Sequence, residues 1–140
     1  MTYAQMGQYA QFLPNELYVP TSAWPKTDEP EPASVKAAKD TFFKAYEGSN
    51  IKPDAPSTFA WDPAVMVVEA LRKLKPDATA DDLRDYLASS QSFDGINGRY
   101  DFKQVPYRGI DRKNVIVTRW NASADAWIPV SEPLGVPLKK

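Results

Sequence analysis

The chain has no cysteine and no histidine. No disulfide framework, thiolate nucleophile, Cys/His zinc site or histidine general base can be built from it. Charge of one sign is also missing. Seventeen basic residues face eighteen acidic ones, interspersed, for a net charge of -1. That balance gives no electrostatic reason to bind nucleic acid or an anionic membrane surface. Long apolar runs are absent too. The longest is Ala64 to Val68, far short of the ~20 residues that cross a bilayer. The first basic residue is Lys26, so the written sequence shows no charged-then-apolar export segment at its start.

What is abundant is proline. Thirteen in 140 residues is about twice the ordinary share. The prolines fall between candidate elements, as rigid connections. Apolar residues at 43% and charged residues at 25% make the chain foldable rather than disordered, and its length suits one domain.

Helical spacing of Tyr3, Met6, Tyr9, Ala10 and Leu13 predicts a short amphipathic helix ended by Pro14. Leu17 to Thr21 reads as a strand, with Pro20 assigning its far end to a sheet edge. A proline-punctuated connection covers residues 24 to 33. A helix follows from about Ala33 to Glu47, with Val35, Ala38, Phe42 and Tyr46 on one face and Gly48 as its stop. Asp62-Pro63 reads as a helix opening. The helix beyond it is apolar over so much of its girth (Ala64, Val65, Met66, Val67, Val68, Ala70, Leu71, Leu74) that it expects cover on more than one side.

Thr79 and Asp82 form a near capping box for a helix to about Ser89, with Leu83, Tyr86 and Leu87 inward. Asp94-Gly95 and Asn97-Gly98 are turn signals, and Arg99 to Phe102 a short strand. Asn114 to Trp120 alternates as a strand, with Val115 and Val117 on one face and Ile116, Thr118 and Trp120 on the other. Ala126 to Val130 returns as its hairpin partner, and the tail from Ser131 is expected to be loose. About four helices and four short strands give an α/β chain whose sheets look incomplete. A compact α+β domain with helices packed on each other is the alternative.

Residues 58 to 130 carry a sequence of features that resembles a known family. An aromatic-Asp pair, Trp61-Asp62, opens an apolar helix ending Glu69-Ala70-Leu71. A capped helix follows, then Phe93-Asp94-Gly95-Ile96-Asn97-Gly98-Arg99-Tyr100-Asp101-Phe102, then a strand, a turn and Trp127-Ile128-Pro129-Val130. This resembles the C-terminal third of the type I periplasmic solute-binding proteins, the receptors of branched-chain amino-acid-type ABC importers. The segments Glu16 to Pro25 and Val35 to Tyr46 resemble a crossing between lobes and the helix after it.

The resemblance implies a partial two-lobe fold. Residues 25 to 112 would belong to the first lobe, with 1 to 20 and 113 to 130 supplying second-lobe and crossing segments. It implies periplasmic solute binding, an ABC permease as partner and no catalysis or cofactor. Relatives bind aliphatic amino acids, amides, urea derivatives or aromatic acids. The positions it suggests for ligand contact are Thr2, Tyr3, Thr21, Ser22, Thr58, Phe59 and Trp61. An aromatic wall at Phe59 and Trp61 suits such a pocket, while filling of the core explains each of them as well. Thr58 stands where the family has an aromatic.

Asp94, Asn97 and Asp101 lack EF-hand spacing and are explained by turns, so no metal is expected. Asp81, Asp82 and Asp85 suit a solvated helix start. Asn121-Ala122-Ser123 matches the glycosylation tripeptide, but a hairpin turn suffices. Glu16, Asp62 and Glu69 have no spacing that would join them in catalysis. The apolar helix and the strands Leu17 to Thr21 and Asn114 to Trp120, expected to lack partners, predict a homodimer. The lone chain is expected not to bind free amino acids or small carboxylic acids.

Overall fold

The computed structural model describes residues 2–14, 16–27, 30–89 and 92–138. It is a mixed α/β arrangement, with four α-helices and five strands among the described residues. Helix α1 is Tyr3–Tyr9, prolonged by a 3-10 turn at Ala10–Phe12. Strand β1 (Tyr18–Ser22) leads to α2 (Ala33–Ala45). Residues 28 and 29 of the connection between them lie outside the described residues. Then come α3 (Ala55–Lys73), α4 (Ala80–Ser89), β2 (Phe93–Gly95) and β3 (Gly98–Tyr100). Strands β4 (Val115–Asn121) and β5 (Ala126–Pro129) follow, and then a 3-10 turn at Pro133–Gly135.

The strands make two small antiparallel sheets, one in the order β1-β4-β5 and one a β2-β3 hairpin. The expectation that β1 and β4 lack partners is therefore corrected. They pair with each other, Thr21 opposite Ile116 and Val19 opposite Thr118. Alternation along β4 works as the sequence suggests, since Ile116, Thr118 and Trp120 are its buried face.

The start of α3 is the second correction. Asp54 sits in extended backbone just before it, and its carboxylate accepts the Ser57 amide at 3.2 Å while the Ser57 hydroxyl reciprocates. That reciprocal cap starts the helix eight residues ahead of Pro63 (from Ala55), with Pro56 in the first turn, where no donor is needed. Asp62 and Pro63 thus fall inside the helix. Pro63 has no N–H to give the Phe59 carbonyl, so the ladder has a gap there. Arg72 and Lys73 close the last turn, where cations favour the helix dipole.

The cover expected on a second side of α3 is not supplied by the described residues. Thr58, Asp62, Met66 and Ala70 form one buried strip. Ala60, Ala64, Val68 and Leu71 form another strip at i, i+4, i+8 and i+11 that faces solvent, Leu71 being 54% exposed. On α4, Leu83, Tyr86 and Leu87 are half-buried.

The main core joins α2 to its neighbours. Phe42, fully buried, meets Trp61 edge-on at 5.2 Å and Tyr46 at 5.2 Å, with Trp24 and Ile96 in the same cluster. Burying a side chain of that size contributes about 2–3 kcal/mol. A second aromatic group links α1 to the larger sheet, with Tyr3 6.0 Å from Trp120 and Trp120 5.2 Å from Trp127. Over its described residues, 131 to 138, the tail is held rather than loose. The Ser131 hydroxyl accepts the Val117 amide at 2.8 Å, and Ser131 forms a bridge with Pro137.

Candidate ligand-binding cavity and its polar wall

Where β1 hands over to α2 and the chain returns into β4, the β2-β3 hairpin closes on one buried carboxylate of α3. Asp62 is 1% exposed. Its Oδ1 accepts the Ile96 amide at 2.9 Å, and its Oδ2 accepts the Asn97 amide at 3.1 Å, the Asn97 side-chain amide at 2.9 Å and the Tyr100 hydroxyl at 2.9 Å. A buried charge with no cation beside it is tolerable when several donors converge on it. Burial, and then the negative charge of Asp62, push the Tyr100 phenol well above its ordinary pKa, so it stays a donor.

Two glycines make the approach possible. A Cβ on Gly95 would lie 2.5 Å from Asp62 Oδ2. Gly98 has φ +120° and faces the Asn114 side-chain amide so closely that no Cβ fits. Asn97 extends the network further. It accepts from the Ser22 hydroxyl at the end of β1, and its Nδ2 also reaches the Thr58 carbonyl at 3.4 Å. Asn114 donates to the Asn97 carbonyl at 3.4 Å. One hairpin turn is thereby tied to α3, β1 and the entry to β4.

Beside this hub lies a cavity of about 610 Å³, bounded by the start of α2, the β3 edge, the entry to β4 and the chain after β5. Its apolar surface includes Val35 and Ile116, and its charged surface Glu31, Lys39, Arg99, Lys113 and Glu132. Lys39, with a side chain only 3% exposed, donates to Glu31 Oε2 at 2.7 Å and to the Pro25 carbonyl at 3.1 Å. Arg99 grips Asp94 through Nε at 2.7 Å and Nη2 at 2.9 Å, which holds the Asp94 carboxyl below its usual pKa. The Ser34 hydroxyl, from the first turn of α2, donates to the same Asp94 at 2.7 Å.

Of the seven positions suggested for ligand contact, two are brought together: Ser22 and Thr58 both reach Asn97, Thr58 through its carbonyl. Thr58 is otherwise buried and donates to the Ala55 carbonyl at 2.7 Å. Thr2 caps α1. Its hydroxyl accepts the Gln5 amide at 3.2 Å and its own amide donates to Gln5 Oε1 at 2.8 Å, a Thr-x-x-Gln capping box written plainly in the sequence.

Tyr3 lies under the Lys52 ammonium, 4.2 Å from the ring centroid, and burial raises its phenol pKa. Thr21 is half-buried within the sheet. Trp61 packs in the core, while Phe59, two positions back and so on the other side of α3, is 68% exposed. The cavity is lined by none of the seven.

No protein-family model, curated protein or solved structure matches the chain. The chemistry has to be read from the residues themselves. Among the described residues no cluster of three or more acidic side chains could hold a metal ion. Asp94 is taken by Arg99 and Ser34, Asn97 by the hub, and Asp101 by the Lys103 and Gln104 amides at 2.9 and 3.0 Å. No helix among the described residues is long and apolar enough to cross a membrane.

The hub was missed in sequence because Asp62 looks like a cap from its neighbours alone. Lys39 did leave a signal. It stands among Val35, Ala38, Phe42 and Tyr46 on the apolar face of α2, where a lysine must find partners.

Proposed function

We propose that the chain is a non-catalytic part of a periplasmic two-lobed solute receptor of the branched-chain amino-acid importer type. In that role it helps enclose a small amino acid or carboxylic acid between lobes, for delivery to a membrane permease. The observation that carries the reading is the pairing of β1 with β4. Strand β1 leads from α1 into the body made by α2, α3, α4 and the β2-β3 hairpin, and β4 leads back out of it toward β5. Two adjacent strands crossing between two groups of elements have the form of a hinge.

The Asp62 hub supports it as well. It couples α3 to the Phe93-to-Phe102 motif, the most specific part of the resemblance. The bare strip of α3 fits a surface on which a further part of the same fold would lie. We assign no catalytic step: the buried carboxylates Asp62 and Asp54 are both taken up by hydrogen bonds, Asp62 by four donors and Asp54 by the Ser57 cap.

Deleting the gene and measuring uptake of labelled solutes tests the reading. Uptake of at least one branched-chain amino acid, amide, urea derivative or aromatic acid should fall, and osmotic shock should release the protein. Normal uptake across that panel rejects the role. The exposed strip of α3 favours a second reading, a stand-alone α+β domain that acts by self-association, and a stable dimer together with unimpaired uptake would select it.

A further inference from the structure

We propose that the cavity beside the hub binds a small amphipathic organic anion, an acid group carried on an apolar body. The proposal needs only this chain, does not rest on the receptor reading, and departs from the expectation that the lone chain binds no small carboxylic acid. A cavity of about 610 Å³ lies within the size range of small-molecule sites, which is roughly 300–1,000 Å³. Pro25, Pro30, Pro32, Pro129 and Pro133 line it, and each has its own φ fixed by its ring. Backbone torsions fixed in advance lower the ordering cost of binding. Val35, Ile116 and the prolines offer the apolar body a dry contact.

The sign of the charge follows from which groups have capacity left. An ammonium has three donors. Lys39 uses two, on Glu31 and Pro25, and no acceptor among the described residues takes the third. Arg99 commits Nε and Nη2 to Asp94, which leaves Nη1. Lys113 makes no ion pair among the described residues. Against these stand two lining carboxylates. Glu31 is already neutralised by Lys39, and only Glu132 is uncommitted. The Lys39–Glu31 and Arg99–Asp94 pairs are each neutral and Lys113 balances Glu132 in charge, so the spare capacity of the wall lies mainly in N–H donors. The first turn of α2, which has no side-chain cap, adds the positive end of a helix to the same wall.

Calorimetry with two probes of equal shape and opposite charge, octanoate and octylammonium, tests the inference near neutral pH. Octanoate should bind at one site per chain, with octylammonium weaker by about tenfold or more. Added salt should weaken octanoate. Lys113→Glu, a change at an exposed side chain, should reverse or erase the preference. Lys39→Met should abolish octanoate binding if the variant still melts cooperatively, and Lys113→Glu decides the matter if it does not. Leu71→Asp, on the bare strip of α3, should leave octanoate affinity unchanged. Equal affinity for the two probes, no octanoate binding, or a preference untouched by Lys113→Glu would overturn the proposal.

Discussion

The Asp62 carboxylate accepts the side-chain amide of Asn97 at 2.9 Å, a bond that joins the middle of α3 to a hairpin turn 35 residues later. The same carboxylate takes both turn amides and the Tyr100 hydroxyl, so the two elements are locked by a group with no slack.

Asp62→Asn should therefore be costly although it preserves shape. The new amide nitrogen would face donors instead of accepting them, which leaves at least one buried N–H or O–H orphaned. A loss of about 3 kcal/mol is expected, read as a lower urea midpoint with the slope unchanged. An unaltered midpoint would mean that the hub contributes little.

Two glycine substitutions should move stability in opposite directions. Gly98→Ala meets the Asn114 side chain and keeps a φ of +120°, so about 2 kcal/mol or more should be lost. Gly7 lies inside α1 with nothing within 4 Å of a new Cβ. Gly7→Ala should gain about 0.5–1 kcal/mol. Thermal melts of the pair would show whether tight approach or general helix propensity decides.

The tyrosines make stability depend on alkaline pH. The folded-state pKa values of Tyr100 and Tyr3 are raised, in both cases chiefly by burial. Their neutral forms are thus favoured in the native state. The contribution is fully present below the unfolded value of about 10 and is lost as pH rises beyond it. Tyr100→Phe should lower stability at neutral pH, by removing one donor from Asp62, and should flatten the decline above about pH 10. A decline equally steep in the variant would place its origin elsewhere.

The bare strip of α3 predicts association. Sedimentation at micromolar concentration should show a dimer or larger species, and Leu71→Asp or Val68→Asp should shift it to monomer without lowering the melting temperature. A monomeric parent protein would remove the homodimer from consideration.

Local patterns were readable where local physics decides. The alternation of Ile116, Thr118 and Trp120 found β4, and Thr79 with Asp82 capped α4 as their spacing indicates, the Asp82 carboxylate accepting the Thr79 amide at 2.8 Å. Asp62-Pro63 reads as a helix start from its neighbours alone, whereas the helix starts at Ala55, capped by Asp54. What separates them is tertiary. Asp54 caps Ser57 nearby, whereas Asp62 is claimed by a turn far along the chain. The partner of β1 was equally hidden, because strand alternation identifies a strand and not its neighbour. Likewise the suggested ligand contacts at Phe59 and Trp61 differ by two helical positions, enough to send one into solvent and the other into the core.

The partnership of β1 with β4 also sets an order on synthesis. Thr118 Oγ1 donates to the Val19 carbonyl across 99 positions of chain. As the chain leaves the ribosome, α2, α3, α4 and the β2-β3 hairpin are all available before β4 exists. Strand β1 has to wait about 5–20 s for its neighbour at ordinary elongation rates. A waiting strand is open to wrong partners. Pro20, at the centre of Tyr18–Ser22, breaks the row of donors on that strand and makes the naked edge a poor template during the interval.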